Sequence, residues 1–375
     1  MAFEGDLWIF GGIVNLRKHG GLVAIAVALA ATGSLAGAAS GQSSTPQAGP
    51  IPVIYDADMD VDDTSTLAYL CEQDHQGLID LLAVTVDNNG FGTPGRALQH
   101  AHSVLNDCGL PDVPIADGSN TIVHAAPASA MQTVETVLTG ALADGSAPPP
   151  TQPLTGAQLI ARTIATTPGK VTILTTGPLS NLATALRDAG AVDGIGVNWL
   201  AGRIQGLYVM GGAISVPGNL FGSAVTGFDN SQEFNMWLDP PSARTVFHTL
   251  APGVAHIVPL DATNFVPITP AFIDKLSADQ QTVSARIVDR IMTQPAMTDG
   301  IKAGIFFWWD ALAATSAFQN DAGITSFNNR TVDVVIDGVQ SGRTALTPAG
   351  ARVRVALTAD QTLFEQTFLN GLNGQ

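Results

Sequence analysis

The chain has 375 residues, of which 46% are hydrophobic, 6% aromatic and 13% charged, with 39 Gly and 22 Pro. That composition excludes a disordered, collagen-like or coiled-coil chain. Its 32 acidic residues against 16 basic ones give a formal charge of -16, and only four of the basic residues are Lys, so no nucleic-acid partner is expected and cations or neutral molecules suit it better.

In chain order, Arg17, Lys18 and His19 precede an apolar run from Leu22 to Ala31, and the small residues Ala36-Gly37-Ala38 follow. This pattern reads as an export signal over residues 1–38. The run is short for a membrane span of about twenty residues, so no stable span is expected after cleavage. Residues 39–50 read as a flexible lead. From Ile51, strand-like runs at Pro52–Tyr55, Leu81–Val86, Val171–Thr175, Gly206–Met210 and Ala255–Leu260 alternate with helical patterns. The helical patterns fall at Thr64–Cys71, Gly95–Asn106, Leu159–Thr166 after a Thr155/Gln158 capping box, and Pro240–Thr249. The proline-rich stretch Asp144–Pro153 is a loop and not a domain boundary. Two late strands, Thr331–Asp337 and Ala351–Leu357, lead into a helix at Gln361–Leu372. Strand-helix alternation predicts one α/β domain over 51–375, with a mainly parallel, Rossmann-like sheet covered by helices on both faces. Cys71 and Cys108 are expected to be buried thiols, with a disulfide as the alternative that export would permit.

The strongest chemical signal is Asp56-Ala57-Asp58-Met59-Asp60-Val61-Asp62-Asp63, five carboxylates in eight residues between an apolar strand and an apolar helix. In open α/β sheets, ligands collect beyond the carboxyl ends of the strands, where this segment falls. So many like charges on one turn repel unless a hard cation such as Ca²⁺ or Mg²⁺ neutralises some of them. An EF-hand is excluded, because the sixth and twelfth positions counted from Asp56 are Val61 and Leu67 rather than Gly and Glu. A haloacid-dehalogenase-like phosphatase, with Asp56 as nucleophile and Lys170 downstream, is one alternative.

The other is a resemblance that extends along the chain. Asp56, Asp58, Asp62 and Asp63 resemble the opening Asp-x-Asp-x-x-x-Asp-Asp of the inosine-uridine preferring nucleoside hydrolase family. Similar blocks follow in order: Ala83 to Asn89, Thr175 to Asn181, Met210-Gly211-Gly212, Gly218-Asn219, Glu233-Phe234-Asn235 with Asp239-Pro240, and Trp309-Asp310. The blocks cover about residues 51–318.

The resemblance implies hydrolysis of ribonucleosides to free base and ribose, with Ca²⁺ held by the side chains of Asp58, Asp63 and Asp310 and the backbone carbonyl of Thr176. Asp62 would then be the general base, taking a proton from water acidified by the cation, and Asp56 would orient the loop through hydrogen bonds. Asn89, Asn219, Glu233 and Asn235 would pair the ribose hydroxyls, with Met210 packed near the sugar. Trp309 stands where one branch of the family has a His able to protonate the leaving base; the purine-specific branch also has Trp there, so purine nucleosides are the expected substrates, stacked on the indole. The second stacking aromatic is unassigned, since residues 90–150 hold only Phe91.

Asn88 stands where many members have Gly, and Asp60 where members have Gly or Asn. The span from Asn219 to Glu233, through Ser223 and Gly227, reads as a Gly-rich lid. His100 and His102 read as surface or packing residues. A homodimer or homotetramer is implied by the family. A non-enzymatic alternative is an exported nucleoside-binding protein.

Overall fold

The computed structural model describes residues 49–118, 123–144, 153–188, 194–220 and 225–375. The export segment 1–38, nearly all of the lead, most of the proline-rich loop and the Ser223 part of the expected lid lie outside these residues.

Nine strands form one sheet: β1 (Ile51–Ala57), β2 (Ile79–Val86), β3 (Ile115–Asp117), β4 (Val171–Thr175), β5 (Ile204–Met210), β6 (Ala255–Val258), β7 (Ile324–Val334), β8 (Thr344–Leu346) and β9 (Ala351–Ala359). Their spatial order is β3-β2-β1-β4-β5-β6-β9-β7-β8, parallel from β3 through β9, with β7 antiparallel to both β9 and β8. The helices, in chain order, are α1 (Val61–His75), α2 (Arg96–Cys108), α3 (Ala128–Leu142), α4 (Gly156–Thr166), α5 (Ser180–Asp188), α6 (Val197–Gly202) and α7 (Phe234–Leu238). They continue with α8 (Pro240–Thr249), α9 (Leu260–Thr263), α10 (Pro270–Ala278), α11 (Val283–Met292), α12 (Pro295–Ala303), α13 (Trp309–Phe318) and α14 (Gln361–Leu372).

The alternation of side chains along β1 divides the core. Val53, Tyr55 and Ala57 pack with α1, α2, α3 and the helices from α9 to α14, whereas Ile54 faces α4, α5, α6 and α8. Both faces of the sheet are therefore dry, as its apolar runs predict. Because β1 lies between β2 and β4, the chain direction across the sheet reverses at β1 and leaves a crevice beyond the carboxyl ends of β1 and β4.

Several element boundaries differ from the sequence expectation. Helix α1 begins at Val61, so Asp62 and Asp63 lie in its first turn rather than in a loop. The cause is a capping box: Asp60 Oδ1 accepts from the backbone N–H groups of Asp62 (2.7 Å) and Asp63 (3.1 Å), while Asp63 Oδ2 accepts from the Asp60 N–H (3.1 Å). Strand β6 stops at Val258 because Pro259 has no N–H for the ladder, and α9 starts next. The late strand β7 starts seven residues earlier than expected, at Ile324, and ends at Val334; a turn through Gly338–Gln340 follows it. The Thr155/Gln158 capping box opens α4 at Gly156.

His102 is partly exposed, whereas His100 is buried inside an ionic cluster. Its Nδ1 lies 2.7 Å from Asp144 and its Nε2 3.1 Å from Glu135, and Arg96 reaches both acids. This cluster ties α2 to α3 and to the residues after it. Cys71 and Cys108 are free and buried.

Two adjacent tryptophans at the start of α13 have separate roles. Trp308 is wholly buried, with its ring 5.5 Å from that of Phe272 and 5.0 Å from that of Phe368, whereas Trp309 is partly exposed. Trp308→Ala is expected to destabilise the protein by about 3–5 kcal/mol in urea denaturation, and Trp309→Ala by less than about 1.5 kcal/mol.

Candidate active site

The crevice beyond β1 and β4 opens into a pocket of about 400 Å³, counted out to its mouth. Its described lining consists of Asp58, Asp60, Asp62, Phe91, Thr176, Met210, Asn219, Glu233, Phe234, Asn235, Trp309 and Asp310. Five of the twelve are acidic, and no Lys, Arg or His is among them.

Asp58 sits just past β1, and Oδ2 accepts from the Phe91 N–H at 2.9 Å. The loop after β2 can approach this closely only because Gly90 has no side chain: a Cβ there would lie 1.7 Å from Asp58 Oδ2. Gly177, after β4, is equally constrained, since a Cβ would come within 2.8 Å of the Asp58 backbone nitrogen. Asp63 is held from behind by the Thr176 hydroxyl on Oδ1 and by the Tyr55 hydroxyl, which donates to the Asp63 carbonyl at 3.1 Å. Asp62 Oδ2 accepts from the Asp310 N–H at 2.8 Å, a contact that joins the start of α1 to the start of α13 across 248 residues. The other oxygen, Oδ1, is buried and has no hydrogen-bond partner.

Burial dominates the electrostatics. It pushes the carboxyl of Asp58 up to about 7, and those of Asp60, Asp62, Asp63 and Asp310 well above the ordinary carboxylate range, with neighbouring carboxylates pushing the same way. A divalent cation would relieve this repulsion. The donor set fits one, because the carboxylates of Asp58, Asp60 and Asp63 each offer an oxygen and those oxygens lie within 4.8 Å of one another. Asp310 lines the same pocket but stands outside this tightest trio, which includes Asp60 instead.

The residues expected at the sugar are distributed unevenly. Met210, Asn219, Glu233 and Asn235 line the pocket. Glu233 caps α7, its carboxylate accepting from the N–H groups of Gly212 (2.9 Å), Asn235 (2.9 Å) and Met236 (3.1 Å). Asn235 Nδ2 donates to the Thr176 carbonyl at 2.6 Å, and that carbonyl keeps a second lone pair for a further partner. Asn219 Oδ1 accepts from the Phe234 N–H at 2.8 Å. Asn89 lies outside the lining: its amide donates to Ser180 (2.8 Å), whose hydroxyl donates to Asp239 (2.7 Å) at the start of α8.

Asp56 is 1% exposed, and Oδ1 accepts from the Thr85 hydroxyl (2.5 Å) and the Asn181 amide (2.9 Å). It faces the interior rather than the pocket, which removes the access a phosphatase nucleophile needs. Lys170 is exposed at the opposite end of β4 from Thr176. The phosphatase alternative is therefore set aside.

Sequence reasoning missed Tyr55 and the aromatic wall, and it placed the charge of Asp60 close to the metal without counting it among the ligands. Phe91 and Phe234 stack at 4.3 Å, and both line the pocket that Trp309 also lines. Phe234 stood inside the Glu233-Phe234-Asn235 block, so a signal for it was present. Tyr55 gave none, because a tyrosine in an apolar strand reads as core.

The chain is similar to characterised proteins along most of its length. A pyrimidine-specific ribonucleoside hydrolase, RihA of Citrobacter koseri, is 28% identical over 241 residues, which cover 64% of this chain and 69% of that relative. Nucleoside hydrolase 4 of Arabidopsis thaliana is also 28% identical, and the match covers 65% of this chain but about half of the relative, 49%. The crystal structure of an inosine-uridine preferring nucleoside hydrolase from Bacillus anthracis superposes with a TM-score of 0.71 at 20% identity over 87% of this chain and 100% of that one, which shows a shared fold. Residues 53–366 match the family model described as inosine-uridine preferring nucleoside hydrolase. With most of its length matched in this way, the protein belongs to the inosine-uridine preferring nucleoside hydrolase family.

Proposed function

We propose that the protein hydrolyses the N-ribosidic bond of ribonucleosides, purine ones preferred, to free base and ribose, using bound Ca²⁺. The observation that carries this reading is a pocket at the β1/β4 crevice whose described lining gathers five acidic side chains without a positive one and includes an aromatic wall. Cleavage of this bond passes through an oxocarbenium-like ribosyl cation, and a strongly negative, partly desolvated pocket favours that charge.

Asp58, Asp63, Asp310 and the Thr176 carbonyl would hold the cation. When bound, it neutralises the carboxylates, orients the sugar hydroxyls and lowers the pKa of water. Asp62 would act as the base: its Oδ2 accepts from the Asp310 N–H, and its buried Oδ1, which has no hydrogen-bond partner among the described residues, would take a proton from the attacking water. Asn219, Glu233 and Asn235 line the pocket and would pair ribose hydroxyls, with Met210 in the same lining. Asn89 would act at one remove, through Ser180 and Asp239.

Trp309 supplies one face for the base, and Phe91 with Phe234 supplies further apolar surface. No imidazole lines the described pocket, so the base would leave by taking its proton from solvent while stacked on the indole. The broad aromatic wall supports purine preference, although the RihA relative is named for pyrimidines. The export reading of residues 1–38 is part of the same proposal, and among the described residues no helix is long and apolar enough to cross a membrane.

Free base released from inosine, adenosine, uridine and cytidine tests the activity: purine nucleosides should be turned over fastest, and binding without release would identify a nucleoside-binding protein. Asp62→Asn should lower kcat by about 10²–10⁴-fold with Ca²⁺ content unchanged, whereas Asp58→Asn should lose Ca²⁺. The reverse pattern, with Asp62→Asn active and Asp58→Asn inactive but metal-replete, would move the base to Asp58.

A pH dependence follows from burial. The carboxyls of Asp56 and Asp58 are raised from 3.8 to about 6 and about 7, so the folded metal-free chain holds these protons more tightly than the unfolded chain does. That contribution to stability is complete below the unfolded value near 3.8 and is lost as pH rises through about 6 to 7. Chelator-treated protein should therefore melt at a lower temperature at about pH 8 than at about pH 5, and Ca²⁺ should raise the melting temperature more at the higher pH. A Ca²⁺ effect that was larger at pH 5 would count against metal binding by Asp58 and its neighbouring carboxylates.

A further inference from the structure

Asp60 is not among the ligands named in the proposed function, yet its carboxylate is one of three acidic groups among the described residues whose oxygens lie within 4.8 Å of one another. It is also where the capping of α1 and the charge of the pocket meet. Oδ1 accepts from the N–H groups of Asp62 and Asp63, which fixes the first turn of the helix. The same carboxylate lines the pocket and offers an oxygen within 4.8 Å of those of Asp58 and Asp63.

Capping alone does not account for a charged residue here. Asn caps a helix as well as Asp does, and it would do so without adding repulsion to a group already short of counter-charge. A second observation points to a ligand: Asp62 Oδ1, on a side chain 2% exposed that lines the same pocket, has no hydrogen-bond partner among the described residues. Among the described residues, no positive side chain lines the pocket to supply one.

We propose that Asp60 is itself a ligand of the cation, bound beside Asp58 and Asp63, and that its charge sets the affinity of this chain for its ion. The inference rests on the cation site of the proposed function and extends it by one residue. Asp60 thus couples two events, because the oxygen that starts α1 and the charge that holds the ion belong to one carboxylate. Binding of the ion stiffens the turn that presents Asp62.

The test uses the full chain, stripped of metal with a chelator and titrated calorimetrically with Ca²⁺ alone, together with thermal unfolding of the metal-free protein. Asp60→Asn and Asp60→Ser both keep a capping oxygen and remove the charge. Each should weaken Ca²⁺ binding by at least about tenfold while the metal-free melting temperature stays level or rises, since a repulsion is removed and the cap is kept. Binding within twofold of wild type in both variants overturns the proposal. So does weaker binding accompanied by a lower metal-free melting temperature, which would trace the effect to the helix cap. If the wild-type chain itself binds no Ca²⁺, the cation reading of the proposed function fails, an outcome distinct from equal binding by wild type and variants.

Discussion

Mutual repulsion among buried carboxylates is the constraint around which this end of the molecule is organised. Asp58, Asp60, Asp62, Asp63 and Asp310 converge where water is largely excluded, and desolvation and proximity both oppose their ionisation. Among the described residues, the donors that hold them there are neutral. Backbone N–H groups of Phe91, Asp310, Asp62 and Asp63 and the hydroxyl of Thr176 point at individual oxygens. Such donors orient a carboxylate without cancelling its charge, which leaves a field able to attract a cation or a developing positive charge.

Holding the cluster together requires elements distant in sequence. The start of α1 is joined to the start of α13 by the Asp62–Asp310 contact, and to the end of β4 by Thr176. Thr176 is joined in turn to α7 through Asn235, and α7 is joined to the end of β5 through Glu233 and Gly212. A network of this kind positions several side chains at once, so a change at one member is felt by others. The close packing of Gly90 and Gly177 on Asp58 has the same effect by steric means.

The pocket has two characters. Its acidic floor suits a sugar and a cation, and its wall of Trp309, Phe91 and Phe234 suits a flat apolar ring. Phe91 and Phe234 already stack on one another, so the wall is preformed rather than assembled around a ligand. Trp308, next in sequence to Trp309, instead anchors the start of α13 in the aromatic core, which fixes where Trp309 and Asp310 stand.

The sequence by itself determined the architecture and the principal acidic segment, because both are written in local patterns. Apolar runs such as Val171–Thr175 match their strand exactly, and the expected helices at Pro240–Thr249 and Gln361–Leu372 match theirs. The aspartate cluster was legible because five carboxylates between two apolar elements admit few explanations. The short helices between Leu260 and Ala303 were not read, since they depend on packing against one another and against neighbouring elements, as α11 does against α1 and α3, more than on any period of their own. The tertiary structure alone decided which carboxylates meet. Asp60 joined the tightest group and Asp310 stood outside it, because a side chain's reach depends on the cap it forms and the helix that carries it. It also turned Asp56 inward, moved Asn89 behind Ser180 and brought Phe91 against Phe234, contacts between residues 29 to 143 positions apart that no local pattern encodes.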